Sequence, residues 1–330
     1  MTDRTHLRSC VFDTDKSTFT KVAVDLFHYQ YQHNPVYREY CSLLKTDTSA
    51  VTSIEQIPFL PIDFFKTHRV VTGTLPVQKI FSSSGTTGQQ ISRHHVCDLP
   101  LYNESFSKCF NMFLGPPEDS CLLALLPSYL EREGSSLVYM VRQLIEKSGA
   151  PESGFYRYNL NDLYRQLLQL EENQKQTILL GVTFGLLEFI AAYHITLRHT
   201  RVIETGGMKG RGEELTRESL HHKLSTALGT ERIYSEYGMT ELLSQAYMLD
   251  DRKFHTPPWM KVVIRDVNDP LQLIGHGKTG AINIIDLANI DSCCFIATAD
   301  LGKSFPDNTF ETLGRMDDSD VRGCNLMWEA

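Results

Sequence analysis

The sequence predicts an α/β protein, with parallel-sheet layers in a large N-terminal domain and a β-rich subdomain after it. Three observations lead there. Wholly apolar runs of strand length, Cys121 to Leu126 and Ile178 to Val182, alternate with stretches of helical periodicity between residues 99 and 237. That rhythm calls for crossover helices, and so for a mostly parallel sheet covered on both faces. From about residue 259 the texture shortens to strands and turns in WMKVVIRD, GAINIIDL and SCCFIATADLG. Finally, KIFSSSGTTGQ at 79–89 sets the β-favouring Ile80 and Phe81 ahead of serines, threonines and glycines, the composition of a strand that empties into a loop. The division that follows is 1–256 for the α/β core, 257–313 for the β-rich subdomain and 314–330 for a C-terminal tail.

In chain order, Phe19, Val22, Ala23, Leu26 and Phe27 are spaced for one helical face. In the next helix Asn34 can cap and Pro35 suits the first position, with Val36, Tyr40 and Leu43 on one side. Pro58 and Pro61 forbid a regular helix across Phe59 and Leu60, so this segment reads as an extended arm under the core. Adjacent His94 and His95 in a strand-like stretch face opposite sides and are not a metal pair. Helices are expected over 99–113, after Gly134-Ser135-Ser136, near 160–171 and over 184–197, with strands at 121–126, 178–182 and 232–234.

The 330 residues are 42% apolar and 22% charged, an ordinary globular composition. A net charge of −8 without a basic run argues against nucleic acid or an anionic membrane as partner. The most apolar stretch, Thr177 to Leu197, is interrupted by Gly181, Glu188 and His194 and reads as a buried strand and helix, not a membrane span. Eight cysteines lie without a CxxC pair, and the polar start MTDRTHLRSC is unlike a signal peptide, which favours a reducing, cytoplasmic compartment.

The loop at 82–88 has the small residues that let backbone N–H groups approach phosphoryl oxygens, and hydroxyls to complete the contacts. It lacks both the lysine of GxxxxGK[ST] and the spacing of GxGxxG, and by itself it reads equally as a flexible connection. Four further motifs follow it: ETGGMKG at 204–210, YSEYGMTE at 234–241, TADLG at 298–302 and GRMDD at 314–318. Taken singly, YGMTE could be a turn and helix start capped by Thr240, DLG a plain turn, and Arg315 with Asp317 a surface ion pair.

Taken in order, the five resemble the adenylate-forming superfamily of acyl-CoA synthetases, firefly luciferase and peptide-synthetase adenylation domains. Within it, IPFLPIDFFKTH, LPSYLEREGSSLVYM, ETGGMKGRG, WMKVVIRD and GRMDDSDVRGCNLM look most like the acyl-protein synthetase (LuxE) family of bacterial luminescence, over nearly the whole chain. Phenylacetate-CoA ligases are the next nearest.

The resemblance implies an adenylate-forming enzyme fold that uses ATP and Mg²⁺, with the core binding both ATP and the acyl group. Ser83, Ser84, Gly85, Thr86, Thr87 and Gly88 would hold phosphates, Gly206, Gly207 and Gly238 would leave room for the nucleotide, and Tyr237 would lie against the adenine. Thr240 would meet the α-phosphate, Glu241 would be the Mg²⁺ ligand, and Asp300 would take the ribose hydroxyls, with Arg315 as a second ribose or phosphate contact. Ala299 stands where the superfamily usually has glycine. The superfamily's mobile C-terminal domain, which supplies an adenylation lysine, has no counterpart after Gly314, so the expected fold has a truncated C-terminal domain. In its place is DVRGCNLMWEA, in which Cys324 corresponds to the family's acyl-accepting cysteine.

The expected function is ATP-dependent activation of a carboxylic acid, of the long-chain fatty class, to acyl-AMP and its transfer to a protein thiol, with an acyl-reductase as protein partner. The alternatives are a phenylacetate-type acyl-CoA ligase and a non-catalytic acyl-binding subunit of a fatty-acid reductase complex. For Cys324 the alternative is a buried structural thiol.

Overall fold

The structure is a computed structural model and describes residues 3–83, 90–126, 134–156, 159–206, 215–249 and 251–316. Its described residues fall into two units, one drawn from Met1–Ile80, Gly85–Asp98 and His255–Ala330 and the other from Phe81–Ser84 and Leu99–Phe254. After residue 254 the chain thus returns to the unit in which it began.

The first unit starts with α1 (Arg4–Val11), capped by the Asp3 carboxylate, and α2 (Phe19–His33), which buries the five residues its spacing predicts. In α3 (Pro35–Leu43) Asn34 is the cap and Pro35 the first residue, but the inner face carries Tyr37 and Cys41, and Leu43 is 76% exposed. Hydrogen bonds set that rotation. Asn34 Nδ2 donates to Thr72 Oγ1 at 3.1 Å and to the Ser292 carbonyl at 2.9 Å, and the Tyr37 hydroxyl donates to the Pro58 carbonyl at 2.6 Å. A buried amide left without these partners would cost more than the burial of one leucine returns. The arm gives β1 (Leu60–Pro61), parallel to Ile296 and Ala297, and one helical turn, α4 (Phe64–Thr67). The strands β2 (Lys79–Ser82) and β3 (Arg93–Val96) follow, with His94 buried edge-on to Phe65 and His95 half-buried, as alternation requires.

The second unit contains α5 (Leu99–Leu114), β4 (Cys121–Leu125), α6 (Ser136–Ser148), β5 (Gly154–Tyr156), α7 (Leu160–Glu172), β6 (Thr177–Val182), α8 (Thr183–Ala192), β7 (Thr200–Thr205), α9 (Arg217–Leu228), β8 (Ile233–Tyr237) and β9 (Ala246–Met248). The strands stand in the order β5-β4-β6-β7-β8-β9, parallel except for β9, which runs antiparallel to β8. One face buries Leu123, Leu179, Val202 and Ile233 under Leu167 of α7, Leu186 and Phe189 of α8 and Leu224 of α9. The residues that point the other way, Leu122, Leu180 and Ile203, are buried too. α8 ends at Ala192, short of the expected 197, and β8 runs on to Tyr237. Beyond Ala192, buried Ile195 and Leu197 alternate with exposed His194 and Thr196, a period of two that only extended backbone can place in the core.

Past β10 (Phe254–His255), the first unit resumes with β11 (Met260–Arg265), β12 (Leu273–Ile274), β13 (Gly280–Asp286), β14 (Phe295–Ser304) and β15 (Thr309–Arg315). They form an antiparallel run in the order β12-β11-β13-β14-β15, so the parallel strands gather in the second unit, with β1 against β14 as the exception here. Ala281 faces Leu301 and Asn283 faces Ala297, so Ile282 alone spans Thr298 to Asp300, a bulge in β14. Buried Arg265 holds it, donating through Nη1 to the Ile282 carbonyl at 2.9 Å and Asn283 Oδ1 at 2.6 Å, and through Nη2 to the Thr298 carbonyl at 2.6 Å. Arg265→Met should leave these buried acceptors unmatched and lower stability by about 3 kcal/mol or more. Urea unfolding would measure it, and a loss below about 1 kcal/mol would show that the bulge stands without the guanidinium.

Candidate functional site

In open α/β sheets ligands gather beyond the carboxyl ends of the strands, where helix N-termini and loops present their polar groups. At that edge of the second unit lie the ends of β6, β7 and β8, and with them two of the sequence motifs. β7 finishes in Glu204-Thr205 and Gly206, whose φ of 71° is a left-handed conformation that favours glycine. Thr183 Oγ1, at the first position of α8, donates to the Gly206 carbonyl at 2.6 Å and so ties this exit to its neighbour.

β8 finishes at Tyr237, and Gly238 to Glu241 form the turn that reverses the chain into β9, with the Leu242 N–H donating to the Met239 carbonyl at 3.1 Å. Thr240 therefore sits in a turn between strands and caps no helix. The Tyr237 ring is half-buried, 5.7 Å from that of Phe254, and Thr240 is half-buried, while Glu241 is buried. A hard carboxylate oxygen such as that of Glu241 suits Mg²⁺, which takes most of its ligands from phosphate and water. Among the described residues no group of three His, Cys, Asp or Glu converges to cage a metal.

Two further carboxylates stand at this edge and were not singled out from the sequence. Glu204 and Ser235 are in register on one face, Thr205 and Glu236 on the other. Glu204 accepts from Ser235 Oγ at 2.7 Å and from Thr183 Oγ1 at 3.2 Å, with Arg217 Nε at 3.7 Å and His221 Nε2 at 3.8 Å. Glu236 is buried and accepts from Thr205 Oγ1. Burial pushes its carboxyl up to about 7, the Thr205 bond opposes this, and the charge of Glu204 adds to it. The signal was a glutamate near the end of each of two successive strands, VIETGG and YSEYG, where a buried sheet otherwise calls for apolar residues.

Ser83 follows β2, whose Ser82 N–H donates to the Gly134 carbonyl at 2.8 Å, just ahead of the α6 cap Ser135. The Ser/Thr/Gly loop thus leaves from beside a helix N-terminus. Ser84, Gly85, Thr86, Thr87, Gly88, Gly207 and Cys324 lie outside the described residues.

In the first unit TADLG is strand, not turn. Its Thr298-Ala299-Asp300 forms the β14 bulge, where the Asp300 N–H donates to Thr298 Oγ1 at 3.1 Å and the Met316 N–H to the Ala299 carbonyl at 2.7 Å. Arg315 on β15 faces Asp300 on β14, with Nε 3.5 Å from Oδ1, and its side chain is 76% exposed. The expected ribose residue Asp300 and the expected ribose or phosphate contact Arg315 are therefore neighbours. Arg265 beneath them was overlooked, although it stands in the WMKVVIRD segment.

Solved structures share this fold. An open form of 2-hydroxyisobutyryl-CoA ligase in complex with 2-HIB-AMP and CoA matches 92% of this chain and 72% of its own, with a TM-score of 0.67 at 11% identity. ATP-bound MatB from Rhodopseudomonas palustris matches 83% of this chain with a TM-score of 0.56 at 19% identity. The chain spans about half the length of that protein and of an ATP-bound RpMatB-BxBclM chimera, 52% and 47% respectively. The fold is that of the adenylate-forming ligases. More narrowly, the chain belongs to the acyl-protein synthetase LuxE family, whose model matches residues 9–330. It is also 22% identical, over 96% of its length and 89% of the relative's, to the long-chain-fatty-acid–luciferin-component ligase of Aliivibrio fischeri. No described helix is long and apolar enough to cross a membrane.

The Glu236 carboxyl makes stability depend on pH. Its folded pKa of about 7 lies above the ordinary 4.5, so between those values the folded chain keeps a proton that the unfolded chain releases. Stability should fall as pH rises from about 4.5 through 7, by roughly 3 kcal/mol from this group, and Glu236→Gln should remove that part of the slope. Denaturant midpoints for the two proteins across the range would show it, and parallel curves would refute it.

Proposed function

We propose that this chain is an ATP-dependent acyl-protein synthetase, which activates a carboxylic acid of the long-chain fatty class as acyl-AMP and passes the acyl group to a cysteine thiol. The observation that carries the reading is the Gly238–Glu241 turn at the carboxyl end of the parallel strand β8, in a chain of this family. A fatty-acid specificity is supported by the name of the Aliivibrio relative, and an acyl-reductase partner follows from the family likeness.

In the first half-reaction a carboxylate oxygen attacks the α-phosphorus of ATP, and the bond to pyrophosphate breaks. Ser83 and the loop through Gly88 hold phosphates, Thr240 orients the α-phosphate, Tyr237 lies along the adenine with Gly206, Gly207 and Gly238 leaving space, and Asp300 binds the ribose with Arg315 as a second contact to ribose or phosphate. Glu241 would hold Mg²⁺, which supplies charge neutralisation when bound. In the second, a thiolate attacks the acyl carbon, the acyl–oxygen bond breaks and AMP leaves.

Burial raises the thiols of Cys41 (up to about 12), Cys97, Cys121, Cys293 and Cys294, which makes each a poor acceptor, and Cys109 is buried against the Gln245 carbonyl. That elimination leaves the partly exposed Cys10 and the C-terminal Cys324. Cys324 is the acceptor in this reading.

Glu241→Gln should reduce acid-dependent pyrophosphate exchange by at least about a hundredfold while thermal melting stays near that of the wild type. Exchange at the wild-type rate would remove Glu241 from the site. Cys324→Ser should keep exchange and lose the hydroxylamine-sensitive acyl label, and Cys10→Ser should keep both. Label that survives in Cys324→Ser would move the acceptor elsewhere, and label found on added CoA alone would favour a CoA ligase.

A further inference from the structure

The Glu236 side chain has no part in the chemistry above, yet it runs forward beneath the turn that carries Thr240 and Glu241. Its Oε1 lies so close to Gly238 that a side chain at 238 would collide with it, and Cγ of Gln245 would stand 3.6 Å from the same added atom. Its Oε2 accepts from Thr205, one residue before Gly206. Thus a single carboxyl touches the ends of both strands that carry motifs.

The surroundings ask for a proton. Among the described residues Gln245 Oε1 is buried without a hydrogen-bond partner, and so is the Tyr247 hydroxyl opposite Glu236 in the β8–β9 register, which can itself donate or accept. An ionised carboxylate can only accept and could not serve the Gln245 amide oxygen. A carboxylic acid has one O–H to give.

We propose that Glu236 is a positioning residue: as a neutral carboxylic acid it accepts from Thr205 through one oxygen, donates to the Gln245 amide oxygen through the other, and so holds the Gly238–Glu241 turn. The purpose of that turn, to present Thr240 and Glu241 to the nucleotide, rests on the proposed function. The titratable groups about it are Glu204 on β7, Tyr247 on β9, and Cys109 and Tyr102 of α5, which lie near Tyr247. Each adds negative charge if it ionises, so all oppose a second charge here. Burial places the Glu236 titration at about 7, so the brace is present in mildly acid solution and is released above neutrality.

The test uses the whole chain without ATP or acid. Amide deuterium exchange is followed at residues 239–242, corrected for the intrinsic rise of exchange with pH. In the wild type, protection should fall above about pH 7, approaching tenfold per pH unit where closure of the turn requires the proton. In Glu236→Gln, whose amide can donate to the same acceptor but cannot ionise, protection should stay level. Infrared spectra should show a protonated carboxyl band in the wild type that titrates over the same range and is missing from the variant. The same pH dependence in both proteins, or no such band in mildly acid solution, would overturn the proposal. Should the variant not fold, the wild type decides by itself: coincident midpoints support the brace, and midpoints more than about one pH unit apart overturn it. Because no readout involves ATP, failed pyrophosphate exchange would refute the proposed activity without touching this result.

Discussion

The in-register pairing of β7 with β8 is the constraint on which the candidate site depends. Parallel alignment of Glu204 with Ser235 and of Thr205 with Glu236 brings the ETGG and YGMTE motifs, separated by some thirty residues of chain, to one edge of the sheet. A slip of β8 by one residue would turn Ser235 and Glu236 to the opposite faces and separate each glutamate from its hydroxyl partner. Buried carboxyls without partners are costly, so the polar residues specify the register as firmly as the apolar ones do. The hydrogen bonds from Ser235 and Thr205 thus serve the fold and the site together.

A second device of the same kind operates in the first unit. The bulge at Thr298 to Asp300 breaks the β13–β14 ladder, and Arg265 takes up the carbonyls of Ile282 and Thr298. An arginine suits this place because its planar fork serves several acceptors at once. In the same unit Arg4 joins Asp291, at 2.6 Å to each carboxylate oxygen, and Asp98 at 2.7 Å, so that three distant stretches of this unit meet in one charged cluster. Both clusters place charge where only dense hydrogen bonding makes it tolerable.

Much of the site was legible as motif and little of it as geometry. Tyr237, Thr240, Glu241 and Asp300 could be picked out because small residues and hard oxygens cluster around them in a recognisable order. Glu204, Glu236 and Arg265 were passed over, since buried charge is identified by its surroundings and those come from other strands. Likewise α3 was expected one position out of phase, because the hydrogen bonds of Asn34 and Tyr37 reach residues that no periodicity connects to them.

The sequence alone determined the class of fold, the alternation of strand and helix, the family and the ordered set of candidate residues, because each is written in local composition and spacing. Tertiary structure decided which face of α3 turns inward, that YGMTE joins two strands, that TADLG is a bulge, and that Glu236 lies enclosed beside Thr205. Those outcomes depend on register and on the pairing of polar groups far apart in the chain, and a one-dimensional pattern carries no record of either.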